Sequence, residues 1–446
     1  MKIRYLLTFS FLLLFSGGII KAQADEGELS LSLKDARDYA ILNNKAVISA
    51  RLDIDASKMA LWEAISAGLP QVMTSASFND NLKLMTTLLP GEFFGQPPGT
   101  YIPIKFGQQF NTNATLQASI LLFNVPYIIG VETTKLAQKL SEHNLEKSEL
   151  DTKEAISTTY YLILISERSL RIVESNIGNL RETLGATQAM YSAGMAEKTD
   201  VDQMVSNQTM VENSRSSLQR SIEVNYNLLR FQLGVPAGTK ITLKDSLEGL
   251  TAGIDVEAML SQQFNYKENV DFRIMEGQEK MSSLNLKTQL ASNLPTLSGF
   301  YNYGVNGMGD KVGEQRWFQN SMTGLQLTVP IFGSGQRYAR IRKAQINLEK
   351  ARTTKEMMTD RLLLQEKQLR YNLVNANLQY KSQKENVEVS KRVYRSTENK
   401  FEQGMASSLD VTQANGLYLQ AENNYISALM NLLQTKLALD KLLNNL

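Results

Sequence analysis

The chain has no cysteine and only one histidine, His143. Without cysteine, disulfides and thiolate metal sites are excluded. A single histidine cannot build a histidine-rich metal site, and it gives no support to a catalytic triad based on that residue. The glycine-rich stretch from Gly304 to Gly313 lacks the Gly-Lys-Ser/Thr sequence of a phosphate loop. These absences predict a protein that is not an enzyme and that needs no cofactor or metal.

The chain also has little net charge, with a formal value of +2. Residues 1–24 are typical of a signal peptide, with a basic start, an apolar run and the cleavage site Ala22-Gln23-Ala24. Its removal leaves 44 basic and 45 acidic residues, so nucleic acid is not an expected partner. No apolar window of transmembrane-helix length follows. The secreted chain is therefore either soluble or an outer-membrane β-barrel.

Proline is scarce, and its nine positions are unevenly distributed. None lies between Pro126 and Pro236, and none follows Pro330. Because proline breaks helices, both stretches are predicted to be long helices. Apolar residues at seven-residue spacing indicate coiled-coil packing near the C-terminus: Val411, Tyr418, Tyr425, Leu432 and Leu439. A helix from Phe332 to Phe401 would be about 100 Å long, too long for a compact soluble core.

Four segments between the helices alternate apolar with small polar residues, which favours strands of a barrel with a wet lumen. They cover residues 71–80, 111–123, 296–305 and 321–332. We expect Leu116, Ala118, Leu325 and Leu327 to face lipid, and Gln117 and Thr323 to face the lumen. The proline-rich segment 90–103 is predicted to be a loop. A half-buried soluble sheet would show the same alternation.

Three pairs of similar segments recur in the same order along the chain. "LPQV" pairs with "LPTL", "LQASILLFN" with "LQLTVPIFG", and "YSAGMAEKTDV" with "FEQGMASSLDV", the last two at offsets of 209 and 210 residues. This pattern predicts an internal duplication of helix, strand, loop, strand, long helix, turn and helix. The first repeat is assigned to residues 25–256 and the second to residues 257–446.

The third pair is predicted to form the tips that join the long helices. Gly194 and Gly404 lie where a helix ends in a left-handed turn. Asp200 and Asp410 lie at the position of a helix capping box. Both aspartates could serve only to stabilise these helix starts, and that interpretation stays open beside a functional one.

Five segments, in their order along the chain, resemble those of the TolC-like outer-membrane factor family, and the resemblance covers nearly the whole mature chain. They are "LSLKDARDYAILNNKAV", "AISAGLPQV", "QLASNLPTLSGFYNYG", "VPIFGSGQR" and "FEQGMASSLDV". The resemblance implies an α+β membrane protein in the outer membrane. It implies a homotrimer with a 12-stranded β-barrel, four strands per chain, continued into the periplasm by a long α-helical coiled-coil barrel. Counting strands partly agrees, because four strands cannot close a transmembrane barrel while three copies supply twelve.

The implied function is that of the exit duct of a tripartite efflux pump. Its expected partners are outer-membrane lipid, a periplasmic adaptor protein and an inner-membrane transporter of the RND type. The adaptor is expected at the turn residues Gly194, Met195, Gly404 and Met405. Two alternatives stay open: a duct for type I protein secretion, and a secreted coiled-coil scaffold with a soluble sheet.

The resemblance also implies a closed periplasmic aperture at the tips. The residues assigned to it are Asp410, Gln413, Asp200, Thr199, Phe401 and Tyr191. Gln413 stands where the family can have a second acidic ring, and Ala406 stands where it can have a restraining arginine. We therefore expect a single ring of three Asp410 carboxylates with raised, coupled pKa values, and a closed state held by packing more than by salt bridges.

Overall fold

The computed structural model describes residues 28–446, so the predicted signal peptide lies outside the described residues. The first part of the chain forms β1 (Leu29–Leu31), α1 (Leu33–Asn43), α2 (Lys45–Ser66), β2 (Gln71–Asp80), β3 (Met85–Pro90), β4 (Tyr101–Phe106), β5 (Phe110–Phe123), α3 (Val125–Ser192) and α4 (Lys198–Leu233). The second part forms β6 (Ile241–Leu243), α5 (Leu247–Ala252), α6 (Val256–Ser261), α7 (Val270–Ala291), β7 (Thr296–Gly309), β8 (Arg316–Thr328), α8 (Gln336–Glu402) and α9 (Ser408–Leu442).

The predicted duplication is present in the fold. The order α2, β2, β5, α3, α4 of the first half returns as α7, β7, β8, α8, α9 in the second. The helices that precede the strands both have 22 residues, the long helices have 68 and 67, and the last helices have 36 and 35. The boundary assigned between residues 256 and 257 falls after the first residue of α6, in the segment that links the two halves.

The four long strands form one antiparallel sheet in the order β2-β5-β7-β8. Leu116 lies opposite Thr74 and Tyr303, and Ala118 lies opposite Val72 and Tyr301. One face of the sheet is therefore mostly apolar. The other carries polar residues such as Gln117, Asn302 and Gln326, with Met73 and Phe300 among them.

The assignment of Thr323 to the polar face is wrong. Thr323 lies two residues before Leu325, so both side chains emerge from the same face of β8. It lies opposite Tyr301, as Leu325 lies opposite Gly299. Its hydroxyl is satisfied locally by donating to the carbonyl oxygen of Phe300 at 3.1 Å. Polarity alone was misleading here, because threonine suits either face of a strand.

The predicted loop at residues 90–103 is also partly wrong. Pro90 ends β3 and Pro103 lies within β4, and these two strands pair as a second antiparallel hairpin between β2 and β5. A short 3₁₀ turn, Gly91–Phe94, follows β3. Proline is tolerated because, in the described part of the chain, each strand of this two-stranded ribbon has one edge without a partner. In the second half, β7 continues to Gly309, so the segment from Gly304 is strand before it becomes loop.

The long helices pack as the seven-residue spacing predicts. Val411, Leu432 and Leu439 on α9 are almost fully buried, and the Tyr394 ring of α8 stacks on Tyr418 at 5.9 Å. The largest core cluster lies midway along the helices. It joins α1, α3, α4 and α9 to β1 and β6, which pair in parallel.

No helix within residues 28–446 combines the length and the apolar character needed to cross a membrane.

Candidate functional site: the paired helical tips

The two tips, residues 193–197 and 403–407, have the same backbone turn. Gly194 and Gly404 have φ values of 76° and 72°. Glycine adopts this left-handed conformation without steric cost. The following amides then fold back on the helix: Met195 N–H donates to the Met190 carbonyl and Met405 N–H to the Lys400 carbonyl, both at 2.8 Å. The sequence element that occurs twice is therefore a helix stop repeated with the same geometry.

A capping box starts the returning helix at each tip. At the second tip, Ser407 Oγ accepts the Asp410 amide at 3.2 Å, and Asp410 Oδ2 accepts the Ser407 amide at 2.8 Å. At the first tip, Asp200 Oδ2 accepts the Glu197 amide at 3.0 Å. Both aspartates therefore stabilise the start of a helix, which is the structural role that the sequence left open beside a functional one.

Asp200 makes a further contact that capping does not require. Its other carboxylate oxygen, Oδ1, accepts a hydrogen bond from Ser408 Oγ at 3.3 Å. Ser408 is the first residue of α9, so this bond joins the tip of the first repeat to the tip of the second. Nearby, the buried Met204 of α4 lies against Thr412 of α9. The two tips of one chain thus lie side by side.

The residues assigned to the aperture fall into two groups. Phe401 is only 5% exposed and packs with Tyr394, Val411 and Ala414 between α8 and α9. The other five lie nearer the surface: Asp200 is partly buried, and the side chains of Tyr191, Thr199, Asp410 and Gln413 are exposed. Phe401 therefore holds the second hairpin together from inside, whereas the exposed group is available to a neighbouring molecule or a pore.

The electrostatics of Asp410 in the single chain differ from those expected for the ring. The hydrogen bonds from the Ser407 hydroxyl and backbone lower the pKa of the Asp410 carboxyl below its usual value. Its neighbours here are donors, which favour the charged form. A raised pKa would need the carboxylates of other copies close by, so it stays a prediction for the assembled trimer.

The turn methionines are the most exposed apolar groups of the tips. Met195 is 81% exposed and Met405 is 67% exposed. At that exposure neither side chain is packed into its own turn. Two flexible apolar side chains at the ends of neighbouring hairpins form a surface suited to packing against a helix of another protein.

One pair near the tips was missed by sequence reasoning. The amides of Asn176 on α3 and Asn415 on α9 hydrogen-bond to each other, and both side chains are buried. The pair joins the first helical hairpin to the second. A signal existed, since Asn415 follows Ala414 of the apolar seam, but the partner is 239 residues away in sequence.

These features together define a class of protein. A sheet with one apolar face lies at one end of helices about 100 Å long, and paired, capped tips lie at the other end.

Solved outer-membrane channels share this fold. VceC of Vibrio cholerae is 14% identical, with 92% of this chain and 95% of that chain covered and a TM-score of 0.70. CmeC of Campylobacter jejuni is 17% identical, with 92% and 85% covered and a TM-score of 0.69. MtrE of Neisseria gonorrhoeae, solved in an open state, is 16% identical, with 92% and 88% covered and a TM-score of 0.70.

The sequence itself gives the family. Residues 36–235 and 267–445 match the profile of the outer membrane efflux protein family, one segment in each repeat. No curated protein matches the chain significantly by sequence. The profile covers most of the chain, and the chain belongs to the outer membrane efflux protein family. It is thus an outer-membrane efflux channel of the TolC type with a periplasmic helical part, and it is not an enzyme. The alternative of a secreted scaffold is excluded.

Proposed function

We propose that three copies of this chain form the exit duct of a tripartite efflux pump. The duct conducts substrates passively from a periplasmic adaptor and an inner-membrane transporter, expected to be of the RND type, to the outside. The observation that carries the proposal is the pair of tips. They lie side by side, have identical turns and present Met195 and Met405 to solvent.

The sheet supports the trimer. Among residues 28–446, β2 and β8 each have one edge without a partner strand. In lipid such an edge leaves backbone groups unsatisfied, and each costs several kcal/mol. Four strands are too few to close on themselves, while three copies supply twelve and leave room for a lumen. Channels of this family are trimers, which agrees with that count.

The tips support contact with an adaptor. Met195 and Met405 are far from the sheet, at the ends of helices that extend about 100 Å from it. Ordering a methionine costs up to about 1.5–2 kcal/mol of side-chain entropy. Burial against an apolar helix face offsets this with about 1.5–3 kcal/mol, and the flexible thioether adapts to the shape of that face. The proposed adaptor therefore binds end-on, with one contact from each repeat.

The same surface supports a gate. Asp410 is exposed and charged at neutral pH, and three copies around one axis would give a negative field that favours cations. Asp200 bonds to Ser408 and so restrains one tip against the other. Because Ala406 stands where the family can have a restraining arginine, contacts from the exposed Tyr191 and Thr199 must hold the closed state. Phe401 contributes by keeping its own hairpin rigid.

The test is a charge placed at both turns. Met195→Asp together with Met405→Asp should abolish efflux, because an adaptor helix cannot bury two new carboxylates. Trimers in the outer membrane should be unchanged, since both positions are exposed. The matched control is Met357→Asp, an equally exposed methionine in the body of α8. Normal drug resistance in the double variant, with trimers present, would refute the adaptor site.

A further inference from the structure

The outer connection of the first repeat differs in kind from that of the second. In the second repeat, β7 and β8 are joined by residues 310–315, which carry Asp310, Lys311 and Glu314. Lys311 and Glu314 form a surface ion pair at 3.5 Å. In the first repeat, β2 and β5 are joined by the complete hairpin β3–β4, which we name the outer hairpin, residues 81–109. Since the halves otherwise match, the outer hairpin is an addition to the shared plan.

The outer hairpin is bent where it leaves the sheet. Asn81 N–H donates to the Gln109 carbonyl at 2.7 Å, which extends the β2–β5 ladder by one pair. Pairing resumes with Met85 opposite Phe106, so three residues on one side face two on the other. Gly107, in the shorter side, has a φ of 106°. One extra residue of this kind is a β-bulge, which bends a ribbon and is common at barrel rims.

Beyond the bend, the ribbon is apolar and exposed. Only Lys83, Glu92 and Lys105 are charged among residues 81–109. Large apolar side chains of the ribbon and its turn are nevertheless in contact with solvent in the free chain: Leu82, Met85, Leu88, Phe93, Phe94, Tyr101 and Phe106. Phe93, in the turn, is 80% exposed. An exposed apolar patch of this kind marks an interaction surface.

Nothing within the described chain covers this patch. β3 and β4 pack on each other and make at most marginal contact with the other helices and strands of residues 28–446. Pro90 and Pro103 remove two donors from the ribbon, so a further strand would add poorly to its edges. The partner must therefore pack on the side chains of the ribbon and not extend it as a sheet.

The position and reach of the ribbon identify that partner. The outer hairpin arises from β2, the edge strand that would pair with a neighbouring copy. A 12-stranded barrel with strands about 4.8 Å apart and tilted by about 40° has a radius of about 12 Å. Six residues of β3 extend about 20 Å. Three such ribbons, bent at their bulges, are long enough to meet over the axis.

We propose that the outer hairpins of three copies pack against one another over the outer mouth of the channel. Phe93 and Leu88 of each copy lie in the shared apolar contact. This inference rests on the proposed trimer. The duct would then have a second constriction at the outer end, made of apolar side chains and opposite to the charged one at the tips.

The absence of cysteine makes the contact directly testable. Phe93→Cys places one thiol per copy near the three-fold axis, and Val312→Cys places a matched thiol in the outer loop of the second repeat, 69% exposed in the free chain. In outer membranes, Phe93→Cys should form disulfide-linked dimers under mild oxidation or with a short bis-maleimide. It should also react about tenfold more slowly than Val312→Cys with a membrane-impermeant maleimide, equivalent to about 1.4 kcal/mol of protection. Leu88→Cys is a second, independent variant with the same expectation.

Each other outcome overturns the inference. Fast labelling equal to that of Val312→Cys, without cross-linking, would mean that the ribbons stand free in solvent. Slow labelling without cross-linking, with quenching of a fluorophore at residue 93 by brominated lipid, would mean that the ribbon lies on the membrane. A native gel run in parallel separates the two proposals. Trimers without cross-links refute only the outer contact, whereas missing trimers refute the proposed duct as well.

Discussion

Replacing Leu116 by arginine tests which face of the sheet meets lipid. Leu116 is the seventh of the 14 residues of β5, so it lies near the middle of a strand that spans the membrane. Its neighbours across the sheet are Thr74 and Tyr303. Gln117 is the next residue of the same strand at nearly the same depth, and it emerges from the opposite face. Leu116→Arg and Gln117→Arg therefore form a matched pair that differs only in the face that receives the charge.

The expected difference is large. Arginine on the lipid face at the midplane costs about 2–4 kcal/mol per chain, whereas lumen positions tolerate polar groups. Three copies contribute one arginine each, so the trimer loses about 6–12 kcal/mol if the sites are independent. Even the smaller per-chain figure lowers the folding equilibrium more than tenfold. Leu116→Arg should therefore fail to accumulate as inserted trimer, while Gln117→Arg should insert normally.

Folding into lipid vesicles measures this directly. The folded trimer and the unfolded chain are separated on unheated gels, and urea titration gives the free energy of unfolding for each variant. We expect the free energy of unfolding to be clearly lower for Leu116→Arg and little changed for Gln117→Arg. Equal loss in both variants, or greater loss for Gln117→Arg, would show that the apolar face does not meet lipid.

Three further results are expected from the tips and the helices above them. Asn415→Ala should lower the thermal midpoint of the trimer, because the buried Asn176 amide loses its partner at about 1–3 kcal/mol per chain, whereas changing both to leucine should restore most of the loss. Asp410→Asn should weaken cation preference and block by multivalent cations in planar-bilayer recordings. Unchanged selectivity would mean that Asp410 is only a helix cap. Asp200→Asn and Ser408→Ala should each raise open probability. The double variant should gain little more than Ser408→Ala alone, since Ser408→Ala removes the bond and Asp200→Asn only removes its charge. A fully additive double variant would contradict that shared restraint.

Much of the architecture could be predicted because it follows from simple patterns over long stretches. The absence of proline between Pro126 and Pro236 predicted α3 and α4. In the second repeat, the spacing from Val411 to Leu439 predicted the buried seam of α9. The alternation in residues 71–80 matches β2 residue for residue. The sequence repeat supported these predictions, since each turn predicted in one half could be checked against the corresponding turn in the other.

Short or composite elements were not predictable in the same way. β1 and β6 have three residues each and pair in parallel across 212 positions, so neither has a period to detect. The outer hairpin was hidden because Pro97, Pro98 and Pro103 indicate a loop, and no local rule shows that the strands resume on either side of the turn. The contacts between the two tips could not be predicted for a different reason. Ser408 and Asp200 are 208 residues apart, and their meeting depends on the packing of whole helices.

The nearly equal lengths of the long helices in the two halves set the position of the tips. Because α3 and α8 differ by a single residue, two separate hairpins deliver their turns to one level. Each residue inserted into only one of them would displace that turn by about 1.5 Å and rotate it by about 100°. Several such insertions would separate Ser408 from Asp200 and move Met195 out of line with Met405. Length changes that keep the two tips paired must therefore occur in both repeats together, and a whole heptad in each would leave the buried seam facing the same neighbours.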